Sequence, residues 1–361
     1  AVIQTNPPDR ETTTNLADRM IEAARKPITV AGLPVSVGAS IGIAIAPAHG
    51  TRSDQIMRSA DLALYRAKQS GRNTFRIYEV EMDRVAQERR VLERQVSRAL
   101  EQDQFELHFQ PLVEVDSDRV TGFEALVRWN HPDRGSVSPE IFIPVAEQTG
   151  AIRAIGEWVL KQACNTAAHW PDDLTLAVNL SVRQFENGRI IRSVTEALEA
   201  SSLPAGKLEI EVTESVLIEH PEETIEILKE LKALGVSIAI DDFGTGYSSL
   251  SYLWKFPFDK IKLDQSFVAA IEHDKVACDI LRIIGSLGQT LGMRITAEGV
   301  ETIEQADFLR TIACHQLQGF YFSKPLAPDE LPAFLAENLT GRIRQESGPP
   351  KKSGRKAAGE K

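Results

Sequence analysis

Acidic, amide and lysine side chains recur at the ends of apolar, β-branched runs in the order Glu124, Asn179, Glu211, Asp241, Asp242, Lys262 and Glu298. The runs are FEALVRW from Phe123, LAVNLS from Leu176, LEIEVTES from Leu208, IAIDDFGTGYSS from Ile238, KIKLDQSF from Lys260 and ITAEGV from Ile295. Each puts an oxygen donor or a charge where a buried strand leaves the core. A single instance means little, because strands commonly end in a charged residue near solvent. Repeated at successive strand ends, the residues form a ring, and a ring of oxygen donors with one lysine is a metal site with a base or electrophile beside it. Glu124, Asn179, Glu211, Asp241 and Asp242 offer hard oxygen ligands, and none of the seven histidines stands in a ligand-like pair. Mg²⁺ or Mn²⁺ therefore suits the set better than zinc.

The elements that position this ring alternate. Amphipathic helices are predicted at Pro139 to Thr149, Ile155 to His169, Glu222 to Leu234, Lys275 to Leu291 and Ile303 to Thr311, between the strand-like runs. That alternation predicts a parallel sheet covered by helices, and its length predicts closure into a TIM-like (β/α)₈ barrel, an α/β fold whose active site lies at the C-terminal strand ends. Arg128 lies four residues past Glu124, on the same face of an extended strand, with a planar fork suited to phosphate oxygens.

A chain of 361 residues, 42% hydrophobic and 25% charged, has the composition of a folded globular protein of about two domains. The formal net charge of −10 argues against a nucleic-acid polymer as partner, so a small anionic ligand needs help from a metal or an arginine. Three cysteines, Cys164, Cys278 and Cys314, lie far apart without a CxxC pattern, which predicts reduced thiols in a cytoplasmic protein rather than disulfides or zinc. No apolar run approaches the roughly 20 residues that span a bilayer, and residues 1–10 are not a signal peptide. No membrane contact is expected of this chain, although a fuller protein is free to carry a tether.

Residues 14–78 read as a helix from Asn15 to Ala24, a hairpin through Ala31-Gly32 into VSVGASIGIAIAP, a helix from Ser53 to Ser70 and a strand beginning at Phe75. With SIGIAIAP from Ser40 and ADLALYRAKQSGRNTF from Ala60, residues 1–80 resemble the C-terminal part of a GGDEF (diguanylate cyclase) domain without the signature that names it. The resemblance implies no cyclase chemistry here, and a partial domain implies an unpaired sheet edge. Residues 81–104 carry Met82, Val85, Leu92, Val96 and Leu100 on one helical face and predict a connecting helix. Its mixed acids and bases argue against a membrane-surface role. Residues 341–361, rich in Gly, Pro and Lys, read as a disordered basic tail.

Residues 105–340 resemble an EAL domain, the bacterial cyclic di-GMP phosphodiesterase, in ordered blocks: FQPLVE from Phe109, EALVRW from Glu124, NLS from Asn179, EVTES from Glu211, DDFGTGYSSLSYL from Asp241, KIKLDQSF, AEGVET from Ala297 and QGFYFSKPL from Gln318. The resemblance implies a first strand, near Phe105 to Glu114, antiparallel to the others. It implies two metal ions: Asp241 bridging, Glu124, Asn179 and Glu211 on the first, Asp242 on the second. Lys262 is then expected beside the attacking water or the phosphate, and Glu298 as general base or water-mediated ligand of the second metal. Gln110 and Gln318 are expected to contact the guanine edge or phosphate, with a structural role as the competing reading. Glu301 is a candidate ligand contact and equally a helix N-terminal acid. Glu214 is expected to pin the loop Gly244 to Ser249, and Ala313-Cys314-His315 departs from the Gly-Cys-Asp of many members. The implied function is hydrolysis of cyclic di-GMP to linear pGpG by a homodimer. A receptor that binds without cleaving is the alternative, and an enolase-like barrel shares the acids but not the block order.

Overall fold

In a computed structural model the chain divides into two units, residues 1–95 and 96–361. The structure describes residues 10–30, 33–35, 37–214, 216, 221–244, 253 and 255–338. In the first unit the helix Arg10–Arg25 buries Ala17 and Ile21, one turn apart. Strands β1 (Ile28–Val30) and β2 (Leu33–Val35) pair antiparallel as the expected hairpin, whose turn residues lie outside the described ones. The SIGI run departs from expectation. It does not continue the hairpin but forms β3 (Ile41–Ile43), parallel to β4 (Phe75–Ile77). A Cβ on Gly42 would stand 2.0 Å from the Ala60 carbonyl oxygen, so only glycine lets the helix Ser53–Gln69 settle on β3. Among the described residues β3 and β4 pair only with each other.

The division between the units falls within the helix Val80–Ala99, which ends earlier than the Gln104 expected for it. The second unit is a closed barrel of eight strands: β5 (Phe105–Glu114), β6 (Val120–His131), β8 (Thr175–Leu180), β9 (Leu208–Thr213), β10 (Ser237–Phe243), β11 (Lys260–Leu263), β12 (Arg294–Ala297) and β13 (Gln316–Leu317). From β6 to β13 neighbouring strands run parallel, while β5 closes the ring antiparallel to both β6 and β13, as anticipated. A short β7 (Gly135–Val137), absent from the sequence reading, pairs with the end of β6. The strands read as nearly continuous apolar runs because both faces are covered: Leu176, Val178, Ile210, Val212, Ile238, Ile240, Ile261, Leu263 and Ile295 are all buried.

Helices follow the strands at Pro139–Thr149, Ile152–Ala167, Pro221–Ala233, Lys275–Leu291 and Ile303–Arg310, close to the predicted bounds. Their limits have local causes. Asp274 caps Lys275–Leu291 through Val276 N–H, and left-handed Gly292 ends it. The basic tail lies outside the described residues.

Candidate active site

Parallel register brings the strand-end residues to one rim. Asn179 and Glu211 are direct partners across β8 and β9, and Asp241 stands two residues further along β10, opposite Thr213. Asp241 and Asp242 would point to opposite faces of a regular strand. Instead the β10–β11 register slips between Ile240 and Phe243, and Asp242 takes a left-handed backbone, φ 53°. Asp tolerates that conformation better than most residues. Through this bulge the charges of Asp241, Asp264, Lys262 and Glu124 all bear on the Asp242 carboxyl.

Lys262, 1% exposed, is the centre of the site. Its ammonium lies 2.5 Å from Glu298 Oε1, 2.6 Å from Glu211 Oε2, 3.5 Å from Asp241 Oδ1 and 3.7 Å from Glu124 Oε1. Four elements thus deliver an acid to one cation from a fifth. Burial alone would push the ammonium down, but the surrounding carboxylates outweigh it and hold Lys262 well above its ordinary value. Burial dominates for Glu211 and Glu298, which stand well above the usual carboxylate range despite Lys262. Asp242 is pushed up to about 6 by burial and then by the charge of Asp241. Burial raises Glu124 too, yet the charge of Lys262 and hydrogen bonds from Gln318 and Asn179 leave it below the ordinary value.

The glutamines form a relay behind Glu124. Gln318 Nε2 donates to Glu124 Oε2 at 2.5 Å and to Gln110 Oε1 at 2.9 Å, and Gln110 Nε2 donates to the Ser323 carbonyl at 3.2 Å. Gly319 permits this: a Cβ there would lie 2.1 Å from the Val300 oxygen, so the turn carrying Gln318 packs directly on the loop after Glu298. Arg128 shares the rim face with Glu124, donates to the Val127 carbonyl at 3.1 Å and feels the charges of Glu124 and Glu106. It lines a cavity of about 510 Å³ with Leu126, Glu147, Asn179 and Ser181.

Two expected residues stand apart from Lys262. Glu301 is exposed at the start of the helix Ile303–Arg310, its N–H bonded to Gln305 Oε1 at 2.8 Å. Glu214 is buried just beyond β9, and neither carboxylate oxygen has a partner among the described residues. Thr245 to Ser249, its expected partners, lie outside them. Asp264 is a residue that the sequence reading passed over. It caps the helix Gln265–Ala270, accepting from Ser266 N–H at 3.0 Å, while its charge acts on Asp242. An aspartate directly before a helix was the available signal.

Glu124, Glu211, Asp241, Asp242 and Glu298 set five carboxylates against the Lys262 ammonium. As they stand, no three acidic, histidine or cysteine side chains among the described residues close on a point that an ion could fill. Four of the acids are turned onto Lys262 instead. Donor chemistry and charge nevertheless fit a hard divalent cation: the donors are all oxygen, the negative excess is buried, and Glu211 Oε1 and Gln318 Oε1 are buried without a hydrogen-bond partner. Asn179 currently donates its NH₂ to Glu124 Oε1, so ligation requires its amide to turn.

Comparison with known proteins adds the following. The EAL domain family matches residues 93–325, and the family described as diguanylate cyclase, GGDEF domain, matches residues 1–74. An uncharacterized signaling protein of Caulobacter vibrioides is 44% identical over 332 residues, 92% of this chain and 41% of that protein. The bifunctional diguanylate cyclase/cyclic di-GMP phosphodiesterase MucR of Pseudomonas aeruginosa is 42% identical over 325 residues, 89% of this chain and 47% of that protein. The chain therefore spans less than half the length of these relatives. The solved PaMucR phosphodiesterase in complex with c-di-GMP superposes with a TM-score of 0.64 at 43% identity, covering 66% of this chain and 99% of that one.

Proposed function

We propose that this chain, which belongs to the EAL domain family, hydrolyses cyclic di-GMP to linear pGpG. The observation that carries the reading is the buried Lys262 ammonium held by acids from separate strand ends, one of which, Glu124, is bonded to the Asn179 that lines a cavity with Arg128. The complex of the PaMucR phosphodiesterase with c-di-GMP, 43% identical, supports the choice of dinucleotide.

Two Mg²⁺ or Mn²⁺ ions, held by Glu124, Asn179, Glu211, Asp241 and Asp242, would supply Lewis acidity and lower the pKa of an attacking water. In our reading Arg128 binds a non-bridging phosphate oxygen. Lys262 neutralises the charge that grows on phosphorus oxygens as water attacks. Glu298, bonded to Lys262, takes the water's proton directly or through a second water in this reading. The P–O3′ bond breaks, the 3′-oxygen leaves as a hydroxyl after gaining a proton, and the phosphate stays on the 5′-oxygen. Gln110 and Gln318 keep Glu124 oriented and offer amides to the ligand. Glu301 is proposed as an outer contact and Glu214 as the brace of the Gly244 to Ser249 loop.

We propose a homodimer as well, because the helix Lys275–Leu291 turns Val276, Ile280 and Ile283 toward solvent on one face. The three cysteines are free thiols, which suits the reducing cytoplasm. No helix among the described residues is long and apolar enough to cross a membrane.

Incubation with cyclic di-GMP and Mg²⁺ or Mn²⁺, followed by HPLC of the nucleotides, tests the reading. The expected result is pGpG with either ion and none in EDTA. Product formed in chelator would overturn the metal dependence, and tight binding without product would establish a receptor instead.

A further inference from the structure

The turn that follows Asn179 is braced from a distant helix. β8 ends at Leu180, and Ser181 caps the short helix Val182–Phe185: its Oγ accepts from Arg183 N–H at 3.2 Å, and its own N–H donates to Gln184 Oε1 at 3.0 Å. Gln184 itself packs directly on Gly156, where a Cβ would stand 2.0 Å from its Nε2. The Ser181 hydroxyl meanwhile donates to Glu147 Oε1 at 2.7 Å, across 34 positions of sequence. Glu147 lies in the last turn of the helix Pro139–Thr149, where the negative end of the helix dipole disfavours an acid. Its position works against its own helix. The hydrogen bond to Ser181, two residues past Asn179, accounts for it.

We infer that Glu147 is a positioning residue, holding through Ser181 the strand end from which Asn179 reaches the site. The inference rests on the ligand role proposed for Asn179. That amide now gives its NH₂ to Glu124 and must present its oxygen to an incoming cation. With the backbone at Ser181 fixed, the exchange is a rotation of one side chain. With the turn free, it becomes a movement of the loop, and the site loses preorganisation. Glu147, Ser181, Asn179 and Arg128 line the same cavity, so a loosened turn also disturbs the wall beside the proposed phosphate contact.

The test is a double-variant cycle of Glu147→Ala and Ser181→Ala, with Glu147→Gln as the conservative replacement. Mn²⁺ affinity is read by isothermal titration calorimetry, and kcat and KM are measured separately at saturating Mn²⁺. Each alanine variant is expected to weaken Mn²⁺ binding about tenfold, the lower end for a partner that orients a metal ligand. Glu147→Gln keeps an oxygen that accepts from Ser181 and should stay within about threefold of the parent on the same scale. The double variant should be no weaker than either single one. Unchanged Mn²⁺ affinity in both single variants, or losses that multiply in the double, would overturn the inference. Should Glu147→Ala fail to fold, Glu147→Leu takes its place in the cycle, since Ser181→Ala also removes the cap of Val182–Phe185. A parent that binds Mn²⁺ but leaves cyclic di-GMP intact refutes the proposed function, while the titration still judges Glu147. A parent that binds no Mn²⁺ overturns both.

Discussion

Replacing Lys262 with methionine would remove the cation around which four carboxylates are arranged while preserving most of the side chain's volume. The ammonium is fully buried and lies within 4 Å of Glu298, Glu211, Asp241 and Glu124. Leaving buried charge uncompensated costs about 3–5 kcal/mol. The lower end applies, because methionine also removes the cost of burying the ammonium and because Glu211 and Glu298 readily take protons. For a barrel of this size about 3 kcal/mol corresponds to roughly 6–12 °C in Tm. The assay is thermal unfolding in EDTA at pH 8. In the variant the acids rise further, so the folded state binds more protons than the unfolded one and stability declines as pH rises. The deficit should therefore shrink at pH 5.

Saturating Mn²⁺ provides a second arm, since cations bound at the carboxylates neutralise the same charge. The Tm gap should narrow there, while turnover of cyclic di-GMP stays about 10²–10³-fold below the parent for want of a transition-state charge stabiliser. A variant within about 1 kcal/mol of the parent in EDTA at pH 8 would refute the reasoning, because uncompensated buried acids cannot be that cheap. Near-parental turnover in Mn²⁺ would remove Lys262 from the chemistry.

Asp241→Asn should cost at least about 10³-fold in kcat, on the scale of a lost electrostatic stabiliser, and near-parental turnover would unseat Asp241 as a principal ligand. Asp242 has a folded pKa of about 6 against an ordinary 3.8, so without metal its contribution to stability is fully present below the ordinary value and is lost as pH rises through 6. Denaturant titrations in EDTA should show that decline, weaker in Asp242→Asn; equal pH dependence in both proteins would contradict the shift. Glu214→Ala should weaken Mg²⁺ activation in a way that excess Mg²⁺ partly restores, unlike Glu211→Ala, and equal unrescuable losses would make Glu214 a ligand. Ile283→Asp should shift light-scattering mass from dimer to monomer, and a mass unaffected by the change would exclude that helix face as the contact.

The ring was legible because a parallel barrel converts sequence order into spatial order. Every βα unit delivers its strand end to the same rim, so acids that terminate apolar runs must meet. Lys262 could be assigned to the rim but not to its centre, because centrality depends on side-chain reach from β6, β9, β10 and the turn after β12 at once. Strand β5 obeys no such rule. Its antiparallel course came from family resemblance, since alternation within FELHFQPLVE does not state direction. The chain path from β2 to β3 was misread for a related reason. Apolar alternation marks strands but not partners, so nothing in SIGI itself points to Phe75–Ile77 as the strand beside it.

Asp242 shows most clearly what a pattern of alternating residues leaves out. Period two sends adjacent aspartates to opposite faces, so on periodicity alone Asp242 belongs outside the barrel. Its place at the site depends on a register slip and a left-handed backbone at a non-glycine residue, a local cost of about 1–2 kcal/mol for most side chains. Asp241 helps to offset it, accepting the Asp242 N–H at 2.9 Å. The same bond ties one acid's backbone to the other acid's side chain. Any cation that draws Asp241 away must therefore also act on the strained turn, which links ligand geometry at Asp241 to the conformation of Asp242. Glu147 is invisible to pattern for a different reason: its partner lies 34 positions away, and an acid in a last helical turn looks merely misplaced until Ser181 is brought beneath it.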